Sequence, residues 1–150
     1  MRFGDPRSIL IALSGALLAG CHDTSGVLPR LSATYVLETV NGEALPSVAA
    51  TGSTGEVVRL ADTLVFSADG NLERRITMRL VGQSTTTPDT TIHGTEALAY
   101  DIDADRLTIR VRSCPDNAQC IGPSEGHIDA RHIDLIDAGW NSATLHFTVR

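Results

Sequence analysis

The sequence is 150 residues long, with 12 basic and 18 acidic residues and a formal net charge of −6. That balance argues against nucleic acid, and against electrostatic binding to anionic lipid, as partners. The basic residues are all arginine, which removes lysine chemistry such as Schiff-base formation.

The chain opens MRFGDPRSILIALSGALLAGC. Arg2 and Arg7 make a short basic start, and residues 9–20 are apolar or small. An apolar run of about a dozen residues is too short to cross a hydrocarbon core, which needs about 20. It fits the central region of a secretory signal peptide over residues 1–20, which is removed and takes no part in the fold.

Leu18-Ala19-Gly20-Cys21 resembles the bacterial lipobox. The resemblance implies cleavage before Cys21 and a lipid on its sulfur. Small Ala19 and Gly20 leave room for a peptidase, and a thiol is a nucleophile able to carry the lipid. Residues 1–20 contain one acid (Asp5) and two bases, so the remaining 130 residues carry −7. That length suits one domain with a modest core. The expected location is the bacterial cell envelope, lipid-anchored and facing periplasm or exterior. His22, rather than Asp, after the cysteine favours the outer membrane in a Gram-negative cell.

Residues 21–33 are polar and turn-rich and read as a flexible tether; the domain is expected over 34–150. Residues 34–40 (TYVLETV) are β-branched and aromatic and end at Asn41-Gly42, a hairpin signal. Residues 56–67 keep Val58, Leu60, Leu64 and Phe66 on one parity, with Asp62 as the exception. After the turn Ala68-Asp69-Gly70, Leu72, Ile76, Met78 and Leu80 share a face. Residues 92–102 alternate more weakly, and Asp103-Ala104-Asp105 turns the chain. Leu107, Ile109 and Val111 alternate with Arg106, Thr108, Arg110 and Arg112. Residues 127–136 change parity between Ala130 and Ile133, which predicts a bulge near Arg131. After a turn at 138–141, Leu145, Phe147 and Val149 share the last face. No window shows convincing helical periodicity.

The expected fold is all-β: an antiparallel up-and-down meander of seven strands, or eight if 56–67 breaks near Asp62. It closes into a small barrel, with a β-sandwich as the alternative. Long links (41–55, 82–91, 113–126) alternate with tight ones, so a meander places all three long links at one rim. The tether then arrives at the opposite rim.

TYVLETVNGEALP and ADTLVFSADGNLERR resemble small lipocalin-like (calycin-type) lipoproteins over residues 34–80. The lipocalin first-strand G-x-W is absent, and Tyr35 stands in the place of its Trp. The resemblance implies an eight-stranded barrel whose interior holds a small apolar ligand; it implies no chemistry. The function it leads to is a non-enzymatic, lipid-anchored envelope protein binding such a ligand. The alternative is a filled barrel acting as an interaction or assembly module through its long-loop rim, with another envelope protein as partner.

Cys114 and Cys120 enclose PDNAQ, and Pro115 and Asn117 favour a turn. With Cys21 lipidated, the pair reads as a disulfide that staples its loop; a metal pair or two free thiols are the other readings. Asp101, Asp103 and Asp105 imitate the start of a calcium loop. Arg106 and Arg112, however, stand where that loop needs Gly and Glu. His127, Asp129, His132 and Asp134, with His93 and His146 elsewhere, are the residue types that hold zinc; they read as a solvated outer face. No G-x-S-x-G is present, so no catalytic residue, metal or cofactor is assigned.

Overall fold

The structure is a computed structural model that describes residues 31–53, 55–82, 88–113, 122–139 and 141–150. Cys21, Cys114, Cys120 and Trp140 lie outside the described residues, as do the proposed signal peptide and most of the tether.

Among the described residues ten strands follow one another: β1 (Ala33–Val40), β2 (Glu43–Ala44), β3 (Ser47–Gly52), β4 (Gly55–Phe66), β5 (Asn71–Gly82), β6 (Thr90–Asp103), β7 (Arg106–Val111), β8 (Ser124–Ile128), β9 (His132–Asp137) and β10 (Ala143–Val149). All pairings are antiparallel, and from β4 to β10 each strand pairs the next. β1 pairs β10 on one side (Tyr35↔Val149) and β4 on the other (Ala33↔Phe66). Those last pairings close β1 and β4–β10 into an eight-stranded up-and-down barrel. β2 and β3 lie outside the ring, on the upper parts of β1 and β4. Asn41 and Gly42, both at positive φ (51° and 83°), make the two-residue turn from β1 to β2. Asn and Gly tolerate that left-handed backbone best.

The eighth strand does not come from a break at Asp62. β4 runs through that point with a bulge between Arg59 and Ala61. The parity change near Arg131, read as a bulge, is a hairpin turn that divides β8 from β9. Its cause is Asp129, whose Oδ1 accepts the N–H groups of Arg131 (2.6 Å) and His132 (2.7 Å). Asp129 N–H also donates to the His132 carbonyl (2.9 Å). A side chain that satisfies two turn donors makes a short reversal as favourable as a continued ladder. The period of 2 does not distinguish a bulge from a turn.

The added reversal moves the 138–142 link to the rim where Val40, Gly55, Gly82, Thr90, Val111 and Ser124 also end or begin. The strand ends that flank the three long links share that rim, as the meander requires. The first strand begins at the opposite rim, beside Arg150, whose N–H donates to the Thr34 carbonyl (3.0 Å). There Tyr100 Oη accepts the N–H of Leu31 (3.0 Å) and donates to the Ser67 carbonyl (2.8 Å), fixing the point where the chain reaches the barrel.

Apolar side chains fill the barrel interior below its mouth. Tyr35, Phe66 and Tyr100 stack edge to face (centroids 5.7 and 4.8 Å), an arrangement favoured by their quadrupoles. Leu64, Leu72, Leu107, Ile133, Leu135, Leu145 and Phe147 pack around them, all fully buried. An eight-stranded barrel is just wide enough to be filled by its own side chains.

Candidate functional site

Above the apolar core the interior carries charge. Arg59, Asp62, Arg74 and Asp137 are 1%, 0%, 6% and 2% exposed. Asp62 and Arg74 continue the inward parities of Leu64–Phe66 and Leu72–Ile76, and Asp137 ends the inward series Ile133, Leu135. The β4 bulge reverses parity, so that Arg59 points inward although it stands three residues from Asp62.

Arg74 Nε donates to both Asp62 oxygens (3.1 Å each). Its Nη2 donates to Asp62 Oδ2 (2.6 Å) and Asp137 Oδ2 (2.7 Å). Arg59 Nη1 donates to Asp62 Oδ2 (3.2 Å), and its Nη2 lies 3.5 Å from Asp137 Oδ2. Asp137 Oδ1 accepts the N–H of Gly139 (3.0 Å).

Two cations and two anions make a neutral quartet, the condition under which buried charge is tolerable. Burial works against the charge on Arg74, but its hydrogen bonds to Asp62 and the fields of Asp62 and Asp137 outweigh it, and the pKa rises. For Arg59 burial is the larger effect and the pKa falls, although Asp62 and Asp137 oppose it.

Beside Arg74 and Asp137 of the quartet, a cavity of about 330 Å³ lies at the long-link rim. Leu98, Ile109, Val111 and Leu135 provide apolar walls, with Arg74 and Asp137 below and Glu96 at the side. The volume is at the lower end for small-molecule sites, whose walls are mostly apolar with a few placed polar groups. Among the described residues this cavity lies at the mouth of the barrel, beside the upper end of the apolar core.

The histidines and carboxylates do not converge on a metal site. His132 and His146 stack on the outer face (5.5 Å, 22°), and their Nδ1 atoms face Asp129 (3.4 Å) and Asp134 (2.7 Å). His127 lies 3.5 Å from Asp105, and His93 bonds Thr77 on another strand (3.1 Å). Among the described residues no group of three or more potential ligands could hold a metal ion. Asp101 is engaged by Arg110, and Asp103 pairs with Arg106 across the β6–β7 turn, so the Asp101–Asp103–Asp105 series belongs to a hairpin.

Sequence reading noticed Asp62 as an exception but missed Arg59, Arg74 and Asp137. Arg74 and Asp137 carry a legible signal, each being a charge at an inward parity of a strand. Arg59 does not, because its inward aim depends on the bulge.

A comparison with protein-family models, with curated proteins and with solved structures finds no match. The fold itself, a closed eight-stranded antiparallel meander, is compatible with a lipocalin-like barrel.

Proposed function

We propose that this chain is a non-enzymatic protein of the bacterial envelope, anchored by lipid on Cys21, that works as a binding module through its open rim. The ligand is a small apolar or amphipathic molecule seated in the mouth cavity. The observation that carries the reading is a partly apolar cavity at the mouth of a filled barrel, with Arg74 and Asp137 of the charged quartet in its lining. The tether reaches the barrel at the opposite rim, so anchoring would turn the mouth away from the membrane.

The test is native mass spectrometry of residues 22–150 produced in the host periplasm. A bound mass released on denaturation is expected for the wild-type domain. Val111 is 40% exposed and lines the cavity, so Val111→Trp fills the mouth from its rim and abolishes that mass. A bare polypeptide mass for the wild type, or an adduct that persists in Val111→Trp, removes the small-molecule reading. The second reading, an assembly module that meets another protein at this rim, is favoured by β6, whose side facing away from β5 is paired by no described residue from Thr90 to Ala97.

A further inference from the structure

β6 is the longest strand, and its two sides are unequally used. It pairs β5 from Thr90 to Ala99, but pairs β7 only from Leu98 to Asp103. β7 ends at Val111 opposite Leu98, and the chain bends at Arg112. Among the described residues nothing pairs the outer side of β6 from Thr90 to Ala97.

The direction of each backbone group along this edge follows from the ladder. Tyr100 N–H donates to the Gly70 carbonyl, on the β5 side. Backbone groups alternate sides along an antiparallel strand. The β5–β6 register runs without a shift, so even-numbered residues bond β5. Thr91, His93, Thr95 and Ala97 therefore turn N–H and C=O to the open side. A row of such groups is a template for another strand, unless bulges, prolines or a covering element blunt it. No bulge or proline interrupts residues 90–97.

The side chains of the edge set the chemistry of an added strand. Ile92, Gly94 and Glu96 share the parity of buried Leu98 and Tyr100 and so belong to the face that continues the barrel interior. Ile92 is 38% exposed. A Cβ built on Gly94 meets nothing within 4 Å, so a neighbouring large side chain can cover it. Glu96 is exposed, lines the mouth cavity and has no ion-pair partner among the described residues. A strand continuing the line of β7 would run antiparallel to β6 with its first residues at the mouth. It would set a basic residue opposite Glu96, a bulky residue opposite Gly94 and an aliphatic residue opposite Ile92.

We infer that the β6 edge, Thr90–Ala97, is a strand-addition site that takes an extended basic, β-prone peptide segment of a partner protein. Main-chain bonds to Thr91, His93, Thr95 and Ala97 supply affinity, and the alternate side chains supply specificity. The site stands on the edge geometry alone and does not depend on the small-molecule reading of the cavity.

The probe is fluorescein-labelled Thr-Lys-Thr-Phe-Thr-Val-Thr-amide, which places Lys, Phe and Val opposite Glu96, Gly94 and Ile92. Its binding to the full-length protein in dodecyl maltoside is followed by fluorescence anisotropy. Saturable binding is expected, weakened about tenfold when the peptide Lys is replaced by Glu, since a cross-strand attraction becomes a repulsion. Thr95→Pro removes an outward N–H while leaving the β5 pairing intact, as edge prolines do, and is expected to weaken binding by about tenfold or more. Glu96→Arg is expected to reverse the preference, so that the Glu peptide becomes the tighter ligand. Circular dichroism confirms that each variant is folded. Absence of saturation up to about 1 mM, unchanged affinity in Thr95→Pro, or an unchanged preference in Glu96→Arg overturns the inference.

Discussion

Replacing Asp62 by Asn tests whether the quartet is a balanced electrostatic unit. Asp62 is fully buried, accepts three hydrogen-bond contacts from Arg74 and one from Arg59, and keeps the group neutral. The amide has nearly the same shape but removes one negative charge, leaving Arg74 with Asp137 as its remaining carboxylate in the quartet. Leaving a buried charge without its partner costs about 3–5 kcal/mol. Total stability of such a domain is about 5–15 kcal/mol. A fall in Tm of about 10–20 °C is therefore expected for a chain of this length. The paired change Asp62→Leu with Arg74→Met removes one charge of each sign and leaves Arg59 and Asp137, whose atoms already lie 3.5 Å apart. Apolar groups of similar volume often replace a buried ion pair without loss, so the double variant should be more stable than either single one. Urea unfolding followed by far-ultraviolet circular dichroism measures the cycle, whose interaction energy should be at least about 2 kcal/mol. An Asp62→Asn protein within about 1 kcal/mol of wild type, or strictly additive single effects, would refute the electrostatic account.

Gly126→Ala is expected to cost about 1–3 kcal/mol, as overpacking does. The new Cβ would run into the Asp134 carbonyl and lie 2.9 Å from Leu135 Cα, so the β8–β9 ladder must separate. Amide exchange in that hairpin reports it, and wild-type protection in the variant contradicts the register. Hydrogen bonds from the Arg131 and His132 amides hold the exposed Asp129 carboxyl below its ordinary value of 3.8. Because the folded pKa is the lower one, its stabilisation is complete above the ordinary value and is lost as pH falls through the folded value. The β8–β9 turn should therefore loosen in acid in the wild type, with a flatter profile in Asp129→Asn; NMR shifts of the Arg131 and His132 amides against pH decide it. Cys21→Ser should leave the chain unprocessed or soluble, because one lipid chain already contributes about 0.8 kcal/mol per buried methylene and two anchor firmly. Partition of that variant with membranes in detergent phase separation would end the anchoring proposal.

Local features made most of the strands legible. Alternation along residues 107–111 and 145–149, and turn signals at Asn41-Gly42 and Asp69-Gly70, depend only on neighbours in the chain. They point to one-sided antiparallel strands, with a sandwich as the alternative to a barrel, and they place the long links at one rim only when the strands form a meander of seven. Two local ambiguities stayed open for a physical reason. A parity change has the same signature in a bulge and in a turn, so the β4 bulge at Arg59–Ala61 and the β8–β9 turn at Asp129–Arg131 exchanged their apparent roles. The candidate site was less legible. Arg74 and Asp137 stand at inward parities, yet 63 residues separate them, and only the ring of pairings brings Nη2 and Oδ2 within 2.7 Å.

The sequence by itself determined an all-β chain whose inward faces could fill a small barrel. Alternation with a period of 2 is set residue by residue, and turn residues act on their own backbone. Tertiary structure alone decided that β1 closes onto β4, that four charges neutralise one another across the interior, and that β7 stops short, so that no described residue pairs β6 from Thr90 to Ala97 on that side. Each of these depends on which distant strands become neighbours and where each of them ends. That is a property of the closed ring and not of any segment within it.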